Sequence, residues 1–382
     1  MRFLHTSDWH AGRIWKRIDR SSELRAALDT VVRYVADNEV DVVLMSGDVF
    51  DSRSPSGRAE HLVADIFREI DRAGAKTVVI AGNHDSVARM EAWRVLVELA
   101  NVTIVPSPRA PHEGGVVEVT SRDGSETAVI ACIPFASPAN FMRASQFVAD
   151  ETKSYVGYAS AFENMVKALR TSFRPDAVNI LMAHTHLEGA VLAQSERTVH
   201  VGEQWAGSMH ALPHDAHYVA LGHIHKPQSL DAPCPAFYAG SPLQLDFGEI
   251  GEKKTFNVFD ARPGGAGPKP KLIPYEGTKE LREMQGTLQE IIDAAPDYQD
   301  AWVRVTVELE ATDPDVARRV RNVLPNAVVV HAKLPQVAEI ESRTKGLTHS
   351  EMYRSWVTSK NHKYPQEMIE EFDRLYADVV GK

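Results

Sequence analysis

Only two of the 382 residues are cysteine, Cys132 and Cys234. A disulfide framework is excluded, and two free thiols in a reducing cytosol are expected rather than one bridge. No apolar run approaches the roughly 18 residues that a membrane-spanning helix requires. The opening "MRFLHTSDWH" lacks the apolar centre of a secretory signal, so a cytoplasmic protein is expected. Positive charge is not in surplus either: 42 Lys and Arg stand against 52 Asp and Glu, for a net charge of −10. That excludes bulk electrostatic coating of nucleic acid, though not a local basic groove. No phosphate-binding Gly-Lys-Ser/Thr loop occurs, so any dependence on ATP must come from another chain. Internal repeats are absent.

With 43% hydrophobic and 25% charged residues, the composition is that of a soluble globular protein, long enough for two or three domains. The first half alternates strand-like and helix-like segments. "FLHTS", "DVVLMSGDVF" and "KTVVIAGNHD" read as strands. Leu24, Leu28, Val31 and Val35, then Leu62, Ile66 and Ile70, recur at helical spacing. This rhythm predicts an α/β sheet with helices on its faces. Further strands are expected at "TAVIACIPF", "AVNILMAHTHL", "HYVALGHIH" and "KTFNVFDA", with a helical stretch over 140–170. "ARPGGAGPKPK" at 261–271 reads as a loop or hinge near a domain boundary. Behind it, 279–294 is expected to be helical, and "WVRVTVELE" alternates as a half-buried strand. With "NAVVVHAKL", this predicts a small αβαβ domain over 279–340 after a first domain spanning 1–275. In the tail, 348–382, a short helix precedes Pro365. Beyond it Met368, Ile369, Phe372, Leu375, Tyr376 and Val379 form an apolar stripe. Such a tail either packs back on its own chain or, as we favour, binds a partner.

The strands share one feature. They end at Asp8 and His10, at Asp48, at Asn83 and His84, at His184, and at His223 and His225. Strand carboxyl ends lie along one edge of an α/β sheet, where ligands bind. The pairs Asp8/His10 and His223/His225 are two apart, so on extended chain each aims to one side. Three oxygen and four imidazole donors suit divalent first-row metals. Asp8, His10, Asp48, Asn83, His184, His223 and His225 exceed the needs of one ion. Two ions about 3.5–4 Å apart, bridged by one carboxylate, would use them all, and Asp48 is the natural bridge. Two cations, less two aspartates and a hydroxide, leave a pocket of about +1, suited to a phosphodiester.

These motifs, "DWH", "GDVFD", "GNHD", the later His and "GHIH" in order, resemble the calcineurin-like metallophosphoesterase superfamily. "LHTSDWHAGR", "SGDVFDSRSPS", "AGNHDS", "LGHIHKPQ" and "YAGSPLQLDFGE" are similar, within it, to the SbcD family of DNA nuclease subunits. The resemblance implies an α/β sheet sandwich flanked by helices, a small α/β capping domain, and a helical tail that docks on an SbcC-type ATPase. It implies two metals, usually Mn2+. Asp8, His10, Asp48 and His225 would hold one, and Asp48, Asn83, His184 and His223 the other. His84 would face the scissile phosphate, and Asp51 would orient His84 through its second ring nitrogen. The implied activity is DNA hydrolysis, exonucleolytic on duplex ends and endonucleolytic on hairpins or single strands, by a homodimer within a heterotetramer. A small-molecule phosphodiesterase or protein phosphatase of the same superfamily is the alternative; a non-enzymatic scaffold is a third reading.

Several nearby residues admit two readings. His186, two positions on, competes with His184, which is preferred because it directly follows Ala183. His5 is expected to be a hydrogen-bonded core residue. His200, His210, His214 and His217 are read as surface or loop. Arg13, Lys16, Arg17, Arg53 and Arg58, with Arg20, flank the first two motifs and are candidate contacts to DNA phosphates. Trp15 is expected to staple its loop.

Overall fold

The structure is a computed structural model that describes residues 1–136, 157–193, 195–196, 206–335, 347–360 and 365–380. The expected strands form because their apolar runs are covered on both faces, which is how a buried parallel sheet reads. In the first sheet, β1 (Arg2–Thr6), β2 (Val42–Met45), β3 (Lys76–Ile80) and β4 (Val102–Val105) are parallel neighbours in that order. Two antiparallel strands, β11 (Thr255–Asp260) and β12 (Lys271–Pro274), extend it beyond β1. The second sheet contains β5 (Val116–Thr120), β6 (Thr127–Ile133), β7 (Val178–His184) and β8 (Tyr218–Gly222), then β10 (Ala236–Tyr238) and β9 (Gln228–Leu230).

The two sheets face each other across an apolar layer that includes Phe3, Leu44, Ile80, Ile130, Met182 and Tyr218. Helices α1 (Ser21–Asp37), α2 (Gly57–Arg72) and α3 (Val87–Val97) belong to the outer layer of the first sheet. Helix α4 (Tyr158–Arg170) covers the second. Each helix follows from local chemistry. For α2, the Ser56 hydroxyl accepts the Ala59 N–H at 3.3 Å, and Val63, Ile66, Phe67 and Ile70 fall on one buried face. Of the helical stretch expected over 140–170, the part from Tyr158 is helix; residues 140–156 lie outside the described residues. Cys132 and Cys234 are both free and buried. Burial pushes the Cys234 thiol up to about 12. Among the described residues, no helix is long and apolar enough to cross a membrane.

Two expectations need correction. The Gly/Pro-rich segment is a loop, one of its two expected readings, and not a hinge between domains. It connects β11 to β12, which pair with each other in one sheet. The small C-terminal unit begins with a strand, not a helix: β13 (Leu281–Thr287), α5 (Leu288–Ala294), β14 (Trp302–Glu308), α6 (Val316–Val323), β15 (Ala327–Lys333). Leu281, Met284, Leu288 and Ile291 mimic helical spacing, but β13 pairs with β14 in parallel over its whole length. That ladder outweighs a local helical preference. Met284, Ile291, Val303, Val305, Val307 and Val320 give this unit its own core. Residues 336–340 lie outside the described residues.

Past it, α7 (His349–Ser359) and α8 (Pro365–Val380) pack on each other, with Tyr353 stacked on Phe372 at 4.1 Å between ring centroids. The small unit seats on the first through Trp15, Phe247 and Leu281, flanked by Trp302 and Val329. Trp15 is therefore a staple: it is buried and lies 5.2 Å from Phe247, ring to ring.

Candidate metal centre

All seven expected ligands lie at one end of the two sheets, and all are buried. They do not arrive as alternating positions on extended chain. Asp8, His10 and Asp48 have left-handed backbones, with φ of 51°, 47° and 52°, and His223 has φ 99°. Such conformations cost roughly 1–3 kcal/mol each in non-glycine residues and persist where the surroundings over-determine them. Here the chain turns sharply past each strand. Asp8 N–H donates to the Gly47 carbonyl and His10 N–H to the Asp48 carbonyl, both at 3.0 Å, so the first two motifs are laced together. Glycine is required where the third loop arrives: a Cβ on Gly82 would collide with the Asp48 carboxylate.

Asp48 is central. Its Oδ2 lies 3.7 Å from His10 Nε2 and 3.6 Å from His184 Nε2, while Oδ1 accepts the His84 N–H at 2.8 Å. On one side, Asp8, His10 and His225 bring ligand atoms within 4.8 Å of one another. On the other, Asn83 Oδ1 lies 3.1 Å from His184 Nε2 and 2.9 Å from His223 Nδ1. The structure brings His184 to this point. His186 is half-buried and outside the cluster, and the rest of the histidines sort similarly. His5 is a core residue, with Nδ1 3.1 Å from the Tyr218 hydroxyl and Nε2 3.1 Å from Ser46 Oγ. Burial lowers it to about 3. His210 and His214 are exposed, and His200 lies outside the described residues. His217 is not a surface residue: it is buried, and its Nδ1 accepts the Asn179 N–H at 3.0 Å.

The donor set fits divalent cations. His184 Nδ1–H donates to the Ser46 carbonyl at 2.7 Å, which leaves a lone pair on Nε2 facing inward. His10 Nδ1 lies 3.3 Å from Asp51 Oδ1, and His225 Nδ1 lies 2.5 Å from Ser195 Oγ. Both rings thereby turn Nε2 inward, and those two nitrogens stand 3.1 Å apart. Two lone pairs at that distance repel unless a proton or a cation lies with them. The carboxyls show the same demand. Burial pushes Asp8 up. Burial pushes Asp48 the same way, but His184, His84 and His10 outweigh it and hold Asp48 well below the ordinary range. Against its own burial, His184 is raised to about 9 by Asp48 and Asp8.

His84 sits beside this cluster, its ring 4.7 Å from that of His10. Asp51 does reach the second ring nitrogen of His84, but through its main chain and not through the expected carboxylate. His84 Nδ1 lies 2.7 Å from the main-chain carbonyl oxygen of Asp51, whereas the Asp51 carboxylate turns to His10 and to Arg13 at 3.2 Å. Burial pushes Asp51 up, but His10 and Arg13 prevail and bring it to about 2. Asp51 thus bears on both histidines through different atoms.

Several further residues around the centre were assigned no role from the sequence. Asp85, in "GNHD", accepts from Gly82 N at 2.8 Å, Phe50 N at 3.0 Å and Val49 N at 3.2 Å, clamping the second and third loops. Burial, then the charge of Asp48, push it up to about 7, against the pull of those three N–H groups. Glu196 and Glu249 are also buried, close to His225. Of the basic candidates, Arg53 and Arg58 are exposed, with Arg58 3.3 Å from Asp19. Lys16 and Arg17 form the tip of a two-stranded ribbon (Ile14–Trp15 and Ile18–Asp19) and border a cleft shared with Arg321 of the small unit. Arg20 is not available to DNA: it is 3% exposed and bound to Glu23 and the Gln244 carbonyl.

Residues 1–227 match the calcineurin-like phosphoesterase family, and 277–378 match the type 5 capsule protein repressor C-terminal domain. The SbcD subunit of the SbcCD nuclease of Bacillus subtilis is 32% identical, over 81% of this chain and 79% of its own. That of Escherichia coli strain K12 is 28% identical over 84% and 81%. The protein of the same name from Rhodobacter capsulatus is 32% identical over 78% and 77%. With a buried cluster built for divalent cations, this chain belongs to the calcineurin-like phosphoesterases, as a metal-dependent phosphodiester hydrolase related to the SbcD subunit of the SbcCD nuclease.

Proposed function

We propose that this chain is a two-metal DNA nuclease, exonucleolytic on duplex ends and endonucleolytic on hairpins or single strands, working in the cytoplasm with an SbcC-type ATPase in DNA repair and recombination. The observation that carries this reading is the place of Asp48 Oδ2, 3.7 Å from His10 and 3.6 Å from His184, as one carboxylate between two donor groups. Asp8, His10, Asp48 and His225 would hold one cation; Asp48, Asn83, His184 and His223 the other. Two divalent cations, Mn2+ by family habit, would supply Lewis acidity toward phosphoryl oxygens and a water acidic enough to attack near neutral pH.

The chain's own residues do the rest. Asp48 keeps its charge between the two groups. Asn83 contributes a neutral oxygen where a carboxylate would cancel the attraction for a phosphodiester. His84, held at Nδ1 by the Asp51 carbonyl, presents Nε2 as the proton donor to the leaving oxygen. Arg13, Lys16, Arg17, Arg53 and Arg58 would meet backbone phosphates.

The small unit and the two C-terminal helices favour a macromolecular substrate and a partner, since a small phosphodiester needs neither. Turnover of a hairpin duplex against bis-p-nitrophenyl phosphate, with Mn2+ present, tests this. Cleavage of the small ester with no cleavage of the hairpin, with or without the ATPase, would favour the phosphodiesterase reading.

A further inference from the structure

His225 is held from outside the metal pocket on three sides. Its main-chain N–H donates to Glu196 Oε1 at 3.0 Å, and its carbonyl accepts from Lys254 Nζ at 2.8 Å. Its ring Nδ1 lies 2.5 Å from Ser195 Oγ, and Ser195 Oγ in turn donates to Glu249 Oε1. Glu249 is fully buried, and its other oxygen is bound by Lys254 Nζ at 2.6 Å and Leu245 N at 3.1 Å.

We propose that Ser195 and Glu249 are positioning residues for His225: a carboxylate–hydroxyl–imidazole relay that sets the affinity of one cation position, that of Asp8, His10 and His225, and leaves the other untouched. The inference rests on the two-cation reading above.

The direction of each proton follows from what the groups can do. Ionised Glu249 only accepts, so the single hydroxyl hydrogen of Ser195 points to it. The Lys254 ammonium at 2.6 Å and the Leu245 N–H at 3.1 Å hold Glu249 as the carboxylate. With its hydrogen committed, Ser195 Oγ receives the Nδ1–H of His225. That fixes the tautomer and turns the Nε2 lone pair toward His10 and Asp8. A carboxylate at the far end of such a chain also raises the basicity of the ligating nitrogen.

At the other position His184 is held differently. His184 Nδ1–H donates to the Ser46 main-chain carbonyl, which no side-chain substitution removes. Loss of the relay should therefore split two otherwise similar sites. Gln244 ties the relay to the small unit. Its amide donates to the Glu249 and Glu252 carbonyls at 3.0 Å, and its Oε1 accepts the Leu281 N–H of β13 at 2.6 Å.

The test is Mn2+ titration of the metal-free full chain, read by the electron paramagnetic resonance of free Mn2+, for wild type, Ser195→Ala and Ser195→Thr. Wild type should take up two ions. Ser195→Ala should take up one as wild type does and the other about 10–100-fold more weakly. Ser195→Thr, which keeps the hydroxyl, should restore the second. Melting temperatures in EDTA should agree among the three, separating ligand positioning from folding. Two ions bound identically by wild type and Ser195→Ala would overturn the relay and leave the two-cation reading standing. Fewer than two ions in wild type would overturn both. Glu249→Gln is the companion variant, expected to weaken the same site; weakening of both sites alike would contradict a selective relay.

Discussion

Glu23 of α1 accepts the indole N–H of Trp302 in β14 at 2.8 Å, across the joint between the phosphoesterase unit and the small C-terminal unit. The same carboxylate receives Arg20 at 2.8 Å and the Lys279 main-chain N–H at 3.2 Å. Burial alone pushes Glu23 up; Arg20, Trp302 and Lys279 outweigh it and hold it below the ordinary carboxylate range. A carboxylate with a depressed folded pKa adds stability that is present above its unfolded pKa, near 4.3. That stability is lost as pH falls through the folded value. Glu23→Ala should cost about 3 kcal/mol at pH 7, since Arg20 is left buried without its partner. The wild-type advantage over Glu23→Gln, followed by urea unfolding, should shrink as pH falls below about 4.3. An advantage unchanged at about pH 3 would remove Glu23 from this role.

Asp48 and His84 should fail differently. Asp48 lies within reach of both donor groups, whereas His84 meets the pocket through its main-chain N–H and an imidazole that flanks it. Asp48→Ala should lose or disorder both Mn2+ ions. His84→Gln should keep both and lose about 10²–10⁴ in cleavage rate. Metal analysis of the purified proteins beside their hairpin cleavage rates decides it, and equal metal loss in the two variants would contradict the division of labour.

The centre was legible because its ligands stand at strand ends, where local sequence signals its own position: an apolar run, a small residue, then Asp, Asn or His. The convergence was right and the local reason was not, since Asp8, His10, Asp48 and His223 reach the pocket through left-handed turns that alternation cannot foresee. Ser195 and Glu249 were assigned no role for another reason, although Glu249 ends the stretch "YAGSPLQLDFGE". They lie 30 residues before and 24 after His225 and carry no ligand spacing of their own, so only the folded chain brings them together. Residues 281–287 misled because an edge strand with Leu281 and Met284 inward carries the same spacing as a helix, and its partner strand lies some twenty residues on.

The C-terminal helices should be separable from catalysis. Thr348 caps α7 with a reciprocal Glu351 contact, Pro365 opens α8, and Tyr353 and Phe372 stack between them. This leaves Trp356, Leu375 and Val379 at 48%, 52% and 76% exposure on a pair too small to hold a core alone. An amphipathic pair with aromatic and aliphatic residues left outward suits an apolar groove or coiled coil. Truncation after residue 345 should leave melting temperature, Mn2+ uptake and bis-p-nitrophenyl phosphate turnover as in the full chain, and abolish co-elution with the SbcC-type ATPase. Trp356→Ala with Leu375→Ala in the full chain should weaken the same association, because the loss is one of buried apolar area rather than of fold. If the truncated chain still co-elutes with the ATPase, the contact lies elsewhere on the molecule.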